Sequence, residues 1–229
     1  MFERTEADYA RFVADKQAAL KSQPCFLDAG TDPEIFETIS RWIVNQYPVP
    51  LQRPHTFANV MMQIQEDIVI HCIDNCEDRV SAAHVCLPSS WDPAAVLGKS
   101  FEACHQPVPG MDLSQSRRMV EAIVYHGPFE RFQWGVFFED RLNYHPLTAP
   151  RRKFDPRNPF VMVKVERQVL YGFPEHNAVA FVLRQHLLPE ATLDKHSLAA
   201  AIDGMSAAQR SYKGIADCAE PLIRYLRSG

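Results

Sequence analysis

Phe160-Val-Met-Val-Lys-Val-Glu-Arg-Gln-Val-Leu170, the turn Gly172-Phe-Pro-Glu-His-Asn177 and the run Ala178-Val-Ala-Phe-Val-Leu-Arg-Gln-His-Leu-Leu188 together decide the fold. Both runs are rich in β-branched and aromatic residues, and the segment between them carries the Gly, Pro and Asn that punctuate strands. Two strands joined by so short a connection pair antiparallel. Working outward, Arg131 to Phe138 reads as another strand. Upstream, Phe57 to Ile64, Ile68 to Ile73 and Val80 to Leu87 read as a meander through the turns Gln65-Glu-Asp67 and Asp74-Asn-Cys-Glu-Asp78. Helical spacing marks Tyr9, Phe12, Val13, Ala19 and Leu20, which Pro24 ends, and Ile35, Phe36, Ile39, Trp42 and Ile43, opened by Asp32-Pro33 and stopped by Pro48. Leu113 to Ile123 reads as a further helix, and a helical tail begins at Leu193. Strands on both sides of a helical middle predict an α+β domain with a mainly antiparallel sheet. The expected organisation is one domain over 1–229: a helical extension to about residue 55, a core to about 190, and a helical tail.

At 229 residues and 46% hydrophobic content, the chain can bury a sizeable core. Its formal charge of −4 offers no basic footprint for nucleic acid. The amino terminus, Met1-Phe-Glu-Arg-Thr-Glu-Ala-Asp8, lacks an apolar signal core, and no run has the length of a membrane span, so a cytoplasmic protein is expected. The six cysteines, at 25, 72, 76, 86, 104 and 218, follow no disulfide framework and are expected to be reduced thiols.

The chemistry is concentrated in Leu87-Pro-Ser-Ser-Trp-Asp-Pro-Ala-Ala-Val-Leu-Gly-Lys-Ser-Phe-Glu-Ala-Cys-His-Gln106, followed by Pro107-Val108-Pro109. Ser90 or Asp92 can cap a short helical turn that Pro93 starts and a left-handed Gly98 ends, and Ser100 can open a second turn running into His105. The prolines then forbid continuation and make the next segment extended. His105 is thereby held at a chain reversal, as a hydrogen-bonded loop residue or as a ligand for haem iron or another metal.

The strand Phe160 to Leu170 carries a second signal. Period two puts Lys164, Glu166 and Gln168 on one face and Val161, Val163, Val165, Arg167 and Val169 on the other. Arg167 interrupts the apolar face and requires an anionic partner, either a haem propionate or an internal carboxylate. Glu166 and Lys164 face either solvent or a cavity. Arg184, with His186 beside it, can reach a propionate or a substrate anion, or is chain-end polarity. Trp134 reads as core packing. The long loop Glu139 to Pro159, with Arg141, Arg151, Arg152 and Arg157, has the length and polarity to cover a cavity.

A rival constellation is His71, Cys72, Cys76, His84 and Cys86: His-Cys with a cysteine four residues later superficially resembles half a zinc site, which the His-x-Cys pair at 84 and 86 could complete. On strands, however, His71 and Cys72 point to opposite faces, and no Cys-x-x-Cys pair exists. The chain also lacks a Gly-rich phosphate loop, a Gly-x-Ser-x-Gly elbow and a Cys-x-x-Cys-His attachment sequence, so any haem is held noncovalently.

Four blocks resemble the haem-dependent oxidative N-demethylase family in order: Leu87 to Pro109, Phe132-Gln-Trp-Gly135, Val163-Lys-Val-Glu-Arg-Gln-Val-Leu170 and Tyr212-Lys-Gly-Ile215. The resemblance implies a PAS-like α+β core binding haem b, with His105 as the axial ligand of the iron and Trp134, Arg167 and Arg184 beside the cofactor. It implies a monooxygenase-like oxidoreductase with O2 as co-substrate and a small amine or related metabolite as substrate. Glu166 would orient or deprotonate substrate, and Arg167 and Arg184 would anchor propionates or assist oxygen. Electrons would come from an external reductant, a reductase with flavin and iron–sulfur centres. The chain departs from the family pattern at Gln133, where asparagine is usual, and at Lys164, where arginine is usual. A haem-based gas or redox sensor, and a haem-free PAS-like binding protein, are the alternative readings of the same fold.

Overall fold

A computed structural model of the chain describes residues 1–74 and 77–228. Its centre is a sheet of six strands in the order β1-β3-β2-β6-β5-β4, with β1 Phe26–Asp28, β2 Asp67–Asp74, β3 Glu77–His84, β4 Phe129–Phe137, β5 Met162–Phe173 and β6 Ala178–Pro189. Every pairing is antiparallel. The protein is therefore α+β, as the strand signals require. The β5–β6 hairpin turns through a single 3-10 turn, Pro174–His176, and closes on Asn177 in the left-handed region at φ 47°. Asparagine tolerates that conformation better than most residues.

Helices α1 (Glu6–Ala19), α2 (Pro33–Gln46) and α3 (Phe57–Met61) flank the sheet, as do α4 (Phe101–His105), α5 (Ser116–His126), α6 (Lys195–Asp203), α7 (Ala207–Tyr212) and α8 (Ala219–Ser228). α2 forms where the sequence places its signals: the Asp32 side chain accepts the Glu34 amide at 2.9 Å, and Pro33 occupies the first turn. Its Ile35, Ile39 and Ile43 repeat every four residues and are buried against Ile68, Ile70 and Val182 of the sheet. Each such side chain contributes about 1.5–3 kcal/mol. On the opposite sheet face, α4 and α5 bury Phe101, Val120, Ile123 and Val124 against Leu170, Phe181 and Leu183. The tail helices α6 and α8 pack Ala199, Ile202, Leu222 and Leu226 against Val136 and Val163.

Several expectations are corrected. Phe57 to Ile64 is not a strand: Thr56 caps a helix by accepting the Asn59 amide, and Phe57, Val60 and Met61 follow a helical spacing into the core. The meander has two long strands, with the short β1 on its outer edge. Pro107 and Pro109 do not begin an extended segment. The Val108 amide donates to the His105 carbonyl at 2.9 Å, and Gly110 takes φ 77°, so the chain turns back at once. The middle helix starts at Ser116 rather than Leu113. Among the described residues, no helix is long and apolar enough to cross a membrane.

Candidate functional site

α4 is one and a half turns long and holds its histidine firmly. The Ser100 hydroxyl caps it by accepting the Ala103 amide at 3.2 Å. Asp78 Oδ2 accepts both the Phe101 amide and the His71 Nε2 proton, each at 2.6 Å, tying the helix start to β3. Asp92 caps the preceding 3-10 turn, and Gly98 is left-handed at φ 76°. His105 Nδ1 donates to the Phe101 carbonyl at 2.8 Å, and its ring stacks on that of Phe101 at 4.0 Å and 25°. Arg131 Nη2 points at His105 Nε2 from 3.4 Å. The network assigns the proton to Nδ1 and leaves the Nε2 lone pair facing outward from the helix. Burial, with Arg131 and His71 assisting and the Phe101 carbonyl opposing, lowers the His105 pKa and keeps the imidazole neutral.

His105 opens on a cavity of about 680 Å³. The β-ladder builds one wall in rows: Arg131 beside Gln168 and Leu183, Gln133 beside Glu166 and Gln185, Gly135 beside Lys164 and Leu187. The Lys164, Glu166 and Gln168 face thus looks inward, and all three are buried. Glu166 Oε1 accepts from Gln168 Nε2 at 2.6 Å, and Oε2 accepts from Ser89 Oγ at 3.3 Å. Gln168 Oε1 accepts in turn from Arg131 Nε at 2.5 Å, so a continuous polar chain runs from Glu166 to the His105 imidazole. Lys164 Nζ donates to the Leu142 carbonyl at 2.5 Å and stands 4.8 Å from the Tyr144 ring. Burial pulls its pKa down to about 7 against the opposing pull of Glu166. The arginine-bearing loop reaches this end, where Arg151 Nη2 donates to the Val136 carbonyl at 2.9 Å.

The other expected site residues lie elsewhere. Arg167 is on the opposite sheet face, where Nε meets Glu130 at 2.5 Å and Nη1 meets Glu3 at 3.5 Å, so internal carboxylates are its partners. Arg184 is its neighbour in the ladder, 1% exposed, bonded to Thr5 Oγ1 at 3.2 Å and 4.3 Å from the Phe12 ring. Neither lines the cavity. Trp134 borders it, but the register aligns Trp134 with Val165 and its ring packs toward the tail helices. Arg131, Ser89 and Lys213 also belong to the wall, with no sequence signal that marks them as site residues, beside Gln168, which strand parity puts on the face of Glu166.

The rival metal constellation does not assemble as spaced. His71 bonds Asp78 and Cys72 Sγ lies 3.1 Å from Ser81 Oγ, while Cys76 falls outside the described residues. His84 and Cys86 instead meet Asp67 in a buried group within 4.8 Å. Asp67 is already engaged by the Leu87 amide at 2.8 Å and by Lys16 Nζ at 3.1 Å, which makes the group a structural tie between α1 and the sheet.

Comparison with known proteins gives one family match. The family described as haem-dependent oxidative N-demethylase, alpha subunit-like, matches residues 33–223.

Proposed function

Because the chain belongs to the haem-dependent oxidative N-demethylase alpha subunit-like family, we propose that it is a haem b-dependent oxidoreductase that oxidises a small amine in the cavity behind His105. The observation that carries this reading is the His105 imidazole, with Nδ1 committed to the Phe101 carbonyl and an unprotonated Nε2 that faces the cavity and is met by Arg131 Nη2 at 3.4 Å. A ligating histidine ordinarily donates its second ring nitrogen in this way.

The residues present fit a noncovalent haem. The cavity volume of about 680 Å³ suits a large flat group, and Phe101, Phe181, Leu183 and Trp91 give it apolar walls. Arg131 also lines it without a carboxylate at ion-pair distance among the described residues, which suits a cofactor bearing propionates. His105 would hold the iron, and Arg131 would move from Nε2 to a propionate. The bound haem would supply reductive activation of O2, with electrons from a flavin and iron–sulfur reductase partner.

The remaining work falls to the chain itself. Glu166, held by Gln168 and Ser89, would bind the amine cation and accept its proton, and its buried position keeps water from competing. Its link through Gln168 to Arg131 would fix its orientation. Arg167 and Arg184, bound on the far face, would act only by stiffening β5 and β6. We place this site in a PAS-like core at about 56–190, flanked by the helical extension and tail, in a cytoplasmic protein.

Reductant-dependent O2 uptake tests the reading: with haem-loaded protein, an electron donor and an N-methyl amine, uptake should rise with amine and formaldehyde should accumulate. Stable haem binding with no amine-stimulated uptake for any amine would leave a gas or redox sensor instead.

A further inference from the structure

Three cations close the end of the cavity away from His105: Arg151, Lys164 and Lys213. Arg151 donates to the carbonyls of Val136 at 2.9 Å and Lys213 at 3.3 Å. Lys164 donates to the Leu142 carbonyl and Lys213 to the Trp134 carbonyl, each at 2.5 Å. Arg151 and Lys164 share one aromatic pair, lying 4.2 and 5.6 Å from the Phe137 ring. None of the three forms an ion pair among the described residues, although buried Lys16 and half-buried Arg167 both do. Burial disfavours the charge on each of them. Like charges gathered and desolvated without a counter-ion are costly unless an anion completes the site.

Glu166 stands on the same face as Lys164, two residues along β5, which places their backbones about 7 Å apart. The two opposite charges make no ion pair with each other; Glu166 turns to Ser89 and Gln168 while Lys164 turns to Leu142. A gap flanked by a carboxylate and an ammonium is complementary to a zwitterion.

We propose, resting on the amine-oxidation reading above, that the substrate is an N-alkylated amino acid whose ammonium is held by Glu166 and whose carboxylate is held by Lys164, Arg151 and Lys213. The same carboxylate chemistry is available from a haem propionate, so the two sources must be separated. Carboxylate binding also draws a proton onto Lys164. The charged and titratable groups acting on that amine are Glu166, Asp67, Arg151 and Arg141, together with the Tyr144 phenol beneath it. The aligned negative charge favours the ammonium, so binding above neutral pH takes up a proton.

Calorimetry on the haem-loaded protein compares N-methylglycine with N-methylethylamine, which lacks the carboxylate, in buffers of different ionisation heat. N-Methylglycine should bind at least tenfold more tightly, with proton uptake near pH 8. Both effects should vanish in Lys164→Met and weaken in Lys213→Met, while haem affinity stays that of the parent. Equal binding of the two amines, with both variants unaffected, overturns the inference and leaves the amine-oxidase reading intact. Loss of haem affinity in Lys213→Met and Arg151→Met, with N-methylglycine binding no more tightly than the plain amine, also overturns it and assigns the cations to a propionate. If the protein takes up no haem, the amine-oxidation reading fails, and the same titration on the apoprotein still decides whether the carboxylate subsite exists.

Discussion

Replacing Asp78 by alanine should loosen the helix that presents His105. The Asp78 carboxylate accepts two hydrogen bonds at 2.6 Å, from the Phe101 amide at the start of α4 and from His71 Nε2, whose side chain is 2% exposed. Hydrogen bonds to a charged group are worth about 1.5–3 kcal/mol each. Losing both and leaving a buried imidazole unpartnered should cost about 3–5 kcal/mol, against about 1 kcal/mol for removing the Ser100 cap alone. Urea denaturation of Asp78→Ala and Ser100→Ala beside the parent measures the difference. The His71 bond, with the Phe101 amide adding and burial opposing, holds the Asp78 pKa below its ordinary value. A depressed carboxylate contributes stability that is present above the ordinary aspartate value of about 3.9 and is lost as pH falls through its depressed value. The parent should therefore lose more stability than Asp78→Ala across that acid window. A destabilisation below about 1 kcal/mol, with parallel acid limbs, would refute the claim that Asp78 anchors the His105 helix.

Glu166→Gln keeps the shape of the polar chain but removes the base, so haem spectra should be unchanged while amine-dependent O2 uptake falls about 100-fold; unaltered uptake would remove Glu166 from the chemistry. A methyl group on Gly172 would run into the carbonyl oxygens of Val124 and Ile123 at the end of α5. Gly172→Ala should therefore cost about 3 kcal/mol, read as a shift of the urea midpoint, and a neutral result would mean that α5 packs differently on β5. Since burial lowers the His105 pKa, haem affinity should hold level as pH falls past the free imidazole value of about 6.5 and decline only below it. A decline centred at 6.5 or above in a pH series of haem titrations would show that His105 is solvated or is not the ligand.

Much of the sheet was legible because β4, β5 and β6 are built from β-branched and aromatic runs, and the short connection between β5 and β6 makes those two a hairpin; the β4–β5 pairing closes across the long loop from Glu139 to Pro159 and carries no such local signal. α3 was not, because Phe57, Val60 and Met61 combine strand-favouring residue types with a helical spacing, and spacing prevailed once Thr56 supplied a cap. The presentation of His105 was legible in its caps, Asp92 and Ser100, and in the left-handed Gly98. Strand parity correctly separated Glu166 from Arg167, but parity alone does not say which face is the inner one. The polar face proved to be buried over a cavity because α4, the segment from Ser89 to Lys99 before it and Arg151 of the arginine loop cover it, a long-range arrangement with no local signature. Arg131 and Lys213 carry no local signal of a site for the same reason: β4 pairing and the return of the tail bring them to the cavity.

The most direct measurement is the ultraviolet-visible spectrum of haem-supplemented protein in ferric, dithionite-reduced and CO-bound forms, beside His105→Ala. A stoichiometric Soret band in the parent that the substitution shifts or abolishes is the predicted result. A parent that binds no haem specifically, or a His105→Ala protein with full haem content and an unchanged ligand-field spectrum, would contradict the assignment of His105 as the axial ligand and with it the proposed site.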